Sequence, residues 1–322
     1  MSPALLTVPS RPPRPPVELT PAGIAAVTRA AARAARLPAA GARLLKFTNN
    51  AVVLLPAAGA VVRIAGSGPV RRRVPTVVTV AHWLESLDLP AVRLHPGVPQ
   101  PLRVAGHLVT VWRAVPPGGA EPTSTDLARI LRRLHAAPEM PPGSGLPHWD
   151  LLAFVRRRLR EARGVAPRDL TFLSGELAAV EDLVAGLADV DPLVPPGVVH
   201  GDAFLGNVIA CASGPVLCDF DGVSVGPREW DLVPVAVGAR RFDYPSGLQE
   251  DFARGYGVDV TQWPGFPALR RLRELQLVTS VLPVLEANPA LLPQWRLRVD
   301  SLRRRDDAVR WTPYPAARPT SP

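Results

Sequence analysis

The chain has 322 residues, is 47% hydrophobic and 20% charged, and so is long enough and apolar enough for one large globular domain or two lobes. Its 25 glycines and 39 prolines stop short of low-complexity composition but require many loop starts and abrupt helix ends. The formal charge of +9 would suit a polyanion partner, yet Lys46 is the only lysine and the triplets Arg71–Arg73, Arg156–Arg158 and Arg303–Arg305 are scattered, so solvated surface is the expected use and nucleic acid is not the expected partner.

Cys211 and Cys218 are the only cysteines, too few for a disulfide framework or a zinc site, and free thiols are expected. The stretch MSPALLTVPSRPPRPP lacks a basic region ahead of an apolar core. No apolar run reaches the roughly 18 residues that a membrane span needs. These features predict a cytoplasmic protein with no membrane partner.

In chain order, residues 1–19 read as a proline-rich tail. Thr20 then caps a helix with Pro21 at its first position, and the Ala-rich run continues it to about Leu37. RLLKFTNNAVVLLP and GAVVRIAG follow as β arms that turn at Pro56–Gly59, with a polar break at Thr48, Asn49 and Asn50. Such a break, followed by a strand carrying Arg63, is what a hairpin covering phosphates needs, although an ordinary hairpin with a surface arginine fits the same residues. Pro75 is expected to start a helix with Val77, Val80, Ala81, Leu84 and Leu87 on one face, and Pro90 to stop it. Residues 91–111 supply two short strands, and Pro116-Pro117-Gly118-Gly119 punctuates a boundary between lobes.

Beyond it the pattern turns helical. Thr123-x-x-Asp126 is a capping box ahead of LARILRRLH, which places Leu127, Ile130, Leu131 and Leu134 together; His135, closing the helix, reads as a packed or capping histidine. Helices are expected over 149–163 and 173–190, the second with a stripe of Leu173, Leu177, Val180, Val184 and Leu187. RRLRELQLVTSVLP is the strongest helix of the last third, ended or kinked by Pro283, and residues after about 311 read as a tail.

The chemistry is concentrated in Val198–Leu232. His200, Asp202 and Asn207 stand in H-G-D-x-x-x-x-N, and Asp219-Phe220-Asp221 follows across a hairpin, NVIACASGPVLCDF, able to bring its two ends side by side. Asn207 and Asp219 offer an amide oxygen and a carboxylate, hard donors of the kind magnesium takes together with phosphate oxygens. Asp202 shares a loop with Asn207 and can accept a proton from a substrate hydroxyl. His200 is better suited to holding the loop.

Together with Gly226-Pro227-Arg228-Glu229-Trp230-Asp231-Leu232, these motifs resemble the aminoglycoside phosphotransferase/choline kinase family, relatives of the protein kinases. The resemblance implies an α+β, two-lobed protein-kinase-like fold, with a small β-rich N-lobe over 20–115, a larger mainly helical C-lobe over 116–310 and a tail over 311–322. It implies an ATP- and Mg2+-dependent phosphotransferase acting on a small-molecule hydroxyl acceptor. Asp202 becomes the catalytic aspartate, Asn207 and Asp219 the magnesium ligands, and His200 and Asp231 supports of the loop. Thr48, Asn49 and Asn50 would cover the phosphates, Arg63 would stand where the family has a basic residue on its third strand, and Trp112, Arg113, Ala114 and Val115 would form the hinge that meets adenine.

One feature departs from that family: the helix after the third strand lacks the usual early glutamate, since Val77 stands near that position and Glu85 comes later. A nucleotide-binding pseudokinase or regulatory module is therefore the alternative. For the acceptor, Glu229, Asp243 and Glu274 are the candidate carboxylates for a polycation. Trp230, Phe242, Tyr244 and Trp263 are the aromatics available to cage a choline-like group.

Overall fold

A computed structural model describes residues 19–47, 50–140 and 143–314. Two compact units emerge, one from residues up to His82 together with Val92–Ala114, the other from Trp83–Ala91 together with residues from Val115 on.

The first unit begins with helix α1 (Pro21–Ala35), started by Thr20, whose side chain accepts the Gly23 amide. Strands β1 (Arg43–Phe47), β2 (Asn50–Leu55) and β3 (Ala60–Ala65) follow, then helix α2 (Gly68–Ser86) and strands β4 (Leu102–Val104) and β5 (His107–Arg113). The strands form one antiparallel sheet in the order β1-β2-β3-β5-β4. The β2–β3 hairpin closes through Pro56–Ala58 and Gly59, whose φ of 55° is the left-handed conformation that glycine adopts without strain. Alternation along the strands buries Val53, Leu55, Val62, Ile64, Val109 and Val111 on one face, where Ile24, Val27 and Ala31 of α1 cover them. Arg63 lies between Val62 and Ile64 in β3 and so projects from the other face, opposite Val52 and Thr110. The proline-rich tail expected over 1–19 falls outside the described residues except for Leu19, which packs against this core.

Helix α2 differs from expectation at its start. It begins seven residues before Pro75, where the Ser67 hydroxyl accepts the Val70 amide and the Ser67 carbonyl that of Arg71. Pro75 is carried inside the helix at the loss of one backbone donor.

The second unit contains helices α3 (Ser124–His135), α4 (Leu151–Glu161) and α5 (Pro167–Ala185), strands β6 (Gly197–Val199), β7 (Val208–Ile209), β8 (Val216–Leu217) and β9 (Ser224–Gly226), and helices α6 (Val233–Arg241), α7 (Leu248–Tyr256), α8 (Phe266–Thr279), α9 (Leu282–Leu285) and α10 (Leu292–Arg303). Helix α3 packs on α7, and α8 packs on α4, α5 and α6. Their apolar stripes form the core: Leu127, Leu131 and Leu134 of α3, Leu173 and Val180 of α5, and Leu269, Leu272 and Leu275 of α8. The α5 stripe is buried only as far as Val180: Val184, still in the helix, is half-buried, and Leu187 falls in the short 3-10 turn that follows Ala185. α8 ends at Thr279, so Pro283 does not stop it but opens α9.

The capping box of α3 forms in full: the Thr123 hydroxyl accepts the Asp126 amide at 3.2 Å, and the Asp126 carboxylate accepts the Thr123 amide at 3.0 Å. The hydrogen bonds from Thr123 hold the Asp126 carboxyl below its ordinary pKa. Thr123→Ala is expected to cost about 1 kcal/mol, read as a lowered urea midpoint; an unchanged midpoint would mean that tertiary packing alone holds the first turn.

The expected tail after about 311 is corrected at its beginning. Trp311 is 1% exposed, donates its indole N–H to Ser301 at 3.1 Å, and lies beneath the guanidinium groups of Arg241 and Arg298. Tyr314 lies 3.7 Å from the Arg298 guanidinium. An apolar indole flanked by cations gains more from burial than from solvent. Trp311→Ala is therefore expected to lower stability by about 3 kcal/mol, visible as a drop in Tm, and a variant within experimental error of the parent would show that the segment merely rests on the surface.

Three of the clustered arginines keep exposed side chains and form ion pairs there. Arg156 pairs with Glu181, Arg303 with Asp169 and Asp300, and Arg305 with Glu176. Cys211 and Cys218 remain thiols. Among the described residues no helix is long and apolar enough to cross a membrane.

Candidate active site

The site is built around the turn that leaves β6 at His200-Gly201-Asp202. Gly201 has φ +84°, and a Cβ there would come within 2.3 Å of the Gly222 carbonyl oxygen, so only glycine fits. The turn's backbone amides have no strand partner; a carboxylate serves them instead. Asp231, 0% exposed, accepts the His200 amide at 2.6 Å and the Gly201 amide at 2.8 Å. The Trp230 indole donates to the Gly201 carbonyl at 2.9 Å. Asp231 also faces His135 Nε2 at 3.1 Å, and His135 Nδ1 lies 2.7 Å from the Tyr256 hydroxyl. Burial, reinforced by the negative charge of Asp231, pushes Tyr256 up to about 12, so its hydroxyl stays protonated and donates to His135. His135 is thus packed, as its place in the helix suggests, and the packing extends the Asp231 brace.

His200 joins this turn to the next acidic segment. Its Nε2 lies 3.0 Å from the Cys218 carbonyl and its Nδ1 3.4 Å from the Asp202 amide, partners that the Nε2–H tautomer satisfies together. The edge of Phe220 closes over the ring, with centroids 6.2 Å apart. Asn207 makes the second tie. Its side-chain nitrogen donates to the Asp202 carbonyl at 2.9 Å, while its own carbonyl accepts the Cys218 amide at 2.9 Å. β7 and β8 pair Val208 with Leu217 and Ile209 with Val216, which sets Asn207 beside the strand end that leads into Asp219. Asp219 is exposed and has φ 66°, an uncommon left-handed conformation for a non-glycine residue, and buried Phe220 anchors the chain immediately after it. Asp202 and Asn207 therefore share one hydrogen-bonded framework with Cys218, which leads directly into Asp219. Among the described residues no cluster of three His, Cys, Asp or Glu side chains could hold a metal ion unaided.

Arg63, Asn50, Trp112, Arg113 and Ala114 belong to the first unit, and Val115 to the second. Thr48 and Asn49 lie outside the described residues. Asn50 opens β2 opposite Ala65 and is buried. The amides of Arg113 and Ala114 are already bonded to the carbonyls of Arg93 and Gly59. The first turn of α2 holds no acidic residue.

Two of the three acceptor carboxylates need correction. Glu229, 1% exposed, accepts the Val194 amide at 3.1 Å. Glu274, 3% exposed, is held by Arg241 at 2.7 Å and Arg270 at 3.1 Å. Both answer buried donors and neither is offered to solvent; Asp243 alone is exposed. Trp230 and Trp263 are likewise buried, the latter donating to the Asp191 carbonyl at 2.8 Å.

One neighbour of Asp202 was not anticipated. Arg273 of α8 donates to its Oδ1 at 2.9 Å. The available signal was periodicity: Arg273 stands four residues after Leu269, at the edge of the apolar stripe, where an unpaired guanidinium would be costly.

A sequence profile described as the phosphotransferase enzyme family matches residues 24–275. No curated protein matches the chain in sequence. Among solved structures, choline kinase LicA from Streptococcus pneumoniae superposes with a TM-score of 0.63 at 16% identity, over 87% of this chain and 99% of that one. A choline/ethanolamine kinase family protein from Mesorhizobium loti gives 0.58 at 18%, over 86% and 92%. The GDP and kanamycin complex of APH(2")-IIia gives 0.58 at 14%, over 87% and 98%. At such identities the likeness is one of fold, and it is the kinase-like α+β fold.

Proposed function

Because the chain belongs to the phosphotransferase enzyme family, we propose that it moves the terminal phosphoryl group of ATP, with magnesium, onto a hydroxyl of a small molecule. The observation that carries this reading is the framework that joins Asp202 and Asn207 to Cys218, the residue before Asp219, through His200 and the Asn207 side chain. The proposed division of labour gives the nucleotide to residues 20–115 and the acceptor and chemistry to 116–310, in a cytoplasmic protein.

The acceptor oxygen attacks the terminal phosphorus. A new O–P bond forms, the bond to the β-phosphate oxygen breaks, ADP departs, and the hydroxyl proton passes to the Asp202 carboxylate. In a loose transition state proton transfer lags behind P–O cleavage, so Asp202 contributes chiefly by orienting the hydroxyl. Its backbone is fixed by ties to both Asn207 and His200.

The donor set fits magnesium. Asp219 brings an exposed carboxylate, and Asn207 spends its nitrogen on the Asp202 carbonyl, which leaves the amide oxygen as the hard donor. Bound there, the ion would neutralise phosphate oxygens. Thr48, Asn49, Asn50 and Arg63 are proposed to meet the phosphates and Trp112–Val115 the base. Since the Arg113 and Ala114 amides are already used, the base would be met by carbonyls of that segment or by Val115. Relatives bear on the nucleotide, APH(2")-IIia having been crystallised with GDP and LicA with AMP.

Incubation of the purified protein with ATP, magnesium and a panel of hydroxyl compounds tests the reading. Compound-dependent release of ADP with a phosphorylated product is expected. The second reading, a nucleotide-binding pseudokinase, draws on the absence of an acidic residue in the first turn of α2. ATP binding with no transfer to any compound or to water would favour it.

A further inference from the structure

The surroundings of Asp202 are cationic. Arg273, 7% exposed, divides one guanidinium nitrogen between Asp202 Oδ1 at 2.9 Å and Gln276 Oε1 at 2.6 Å. The Asp202 side chain is itself 43% exposed. A second guanidinium, Arg158 of α4, reaches the Gln276 carbonyl at 3.4 Å and lies 4.0 Å from the centre of the Phe154 ring. Arg157 stands over the same ring at 5.0 Å. Among the described residues no carboxylate forms an ion pair with Arg158, whereas the partly buried Arg270 and Arg271 of α8 have theirs in Glu274 and Glu176. Burial, with the charge of Arg157 adding to it, pulls Arg158 down to about 10, and the charge of Asp202 opposes that shift.

A half-buried guanidinium facing a single shared carboxylate leaves an excess of positive charge beside the proposed proton acceptor. A polycationic acceptor would meet repulsion there, whereas an anion would offset the desolvation of Arg158 and accept both forks. We propose that the acceptor is an anionic hydroxy compound, carrying a carboxylate or phosphate group that Arg158 and Arg273 bind while its hydroxyl meets Asp202. The inference rests on the phosphotransferase reading of Asp202. It also accounts for the Arg273–Asp202 pair: an arriving anion competes for Arg273 and releases Asp202 for the hydroxyl.

Calorimetry on the full chain, loaded with magnesium and a non-hydrolysable ATP analogue, tests it with hexoses on one frame: glucuronate, glucose 6-phosphate, glucose and glucosamine. An anion is expected to bind about tenfold or more tightly than glucose, as charge-assisted hydrogen bonds would give, with glucosamine weakest. Arg158→Gln and Arg273→Gln should each remove that preference, while Arg156→Gln, on the same helix but paired with Glu181, should keep it. Glucosamine binding as tightly as glucuronate, no preference among the four, or anion affinity unchanged in both variants would overturn the inference. ATP turnover by the unmodified protein is followed in parallel. Turnover without anion preference defeats the inference and leaves the phosphotransferase reading standing. Anion preference that is lost in Arg158→Gln, without turnover to any acceptor or to water, supports the anion site and removes the transfer reading.

Discussion

Asp231→Ala is expected to cost about 5 kcal/mol, the sum of three donors stripped of a charged, buried acceptor, and so to approach the whole stability of an ordinary domain. The carboxylate is fully buried and accepts the His200 amide, the Gly201 amide and the His135 imidazole. Neither amide can turn to another partner, because Gly201 is locked in a left-handed conformation against Gly222. Water in the space vacated would have to serve all three donors. Asp231→Asn should fall between the two, since its oxygen keeps an acceptor while its nitrogen opposes a donor. Urea midpoints of the three proteins decide the matter, and a loss below about 1 kcal/mol for the alanine variant would mean that the turn is held by other contacts.

Asp202→Asn is expected to lower turnover by about a hundredfold or more, the usual size of a lost positioned base, with Tm unchanged. Its side chain is half-exposed, and asparagine can still accept the Arg273 hydrogen bond, so the fold should not register the change. ADP release and nucleotide affinity measured together separate the effects: kcat should fall while the affinity for ATP stays. A variant that retains more than about a tenth of the parent rate would mean that Asp202 neither orients the hydroxyl nor takes its proton, because a positioned group of this kind typically contributes about 10²-fold or more.

The two substitutions probe residues of different legibility. Asp202, Asn207 and Asp219 lie within twenty residues, and their grouping was legible in the sequence, since a turn and a hairpin of fixed length leave the chain few ways to arrange them. The same holds for the Thr20 and Thr123 caps and for the β2–β3 hairpin, in which the signal and its partner are neighbours in sequence. Proline was less reliable. Pro75 suggested a helix start, but Ser67 provides a cap earlier, and the helix accepts the missing donor at Pro75. Burial of charge was not legible at all. Glu229 and Glu274 resemble any surface carboxylate until the Val194 amide and the Arg241 guanidinium are found against them, and Trp311 resembles part of a tail until α10 and Arg241 enclose it.

By itself, then, the order of residues determined the local devices of this protein: caps, hairpins, apolar stripes, and the acidic loop whose spacing carries the phosphoryl-transfer motif. Only the tertiary structure decided what surrounds that loop. His135 comes to Asp231 from α3 and Arg273 to Asp202 from α8, and no spacing along the chain encodes either meeting. The physical reason is the range of the interactions. Turns and caps are settled by dihedral preferences and hydrogen bonds a few residues apart, whereas a buried charge chooses its partner according to which helices pack, and packing follows from apolar stripes that do not specify what the flanking polar side chains will touch.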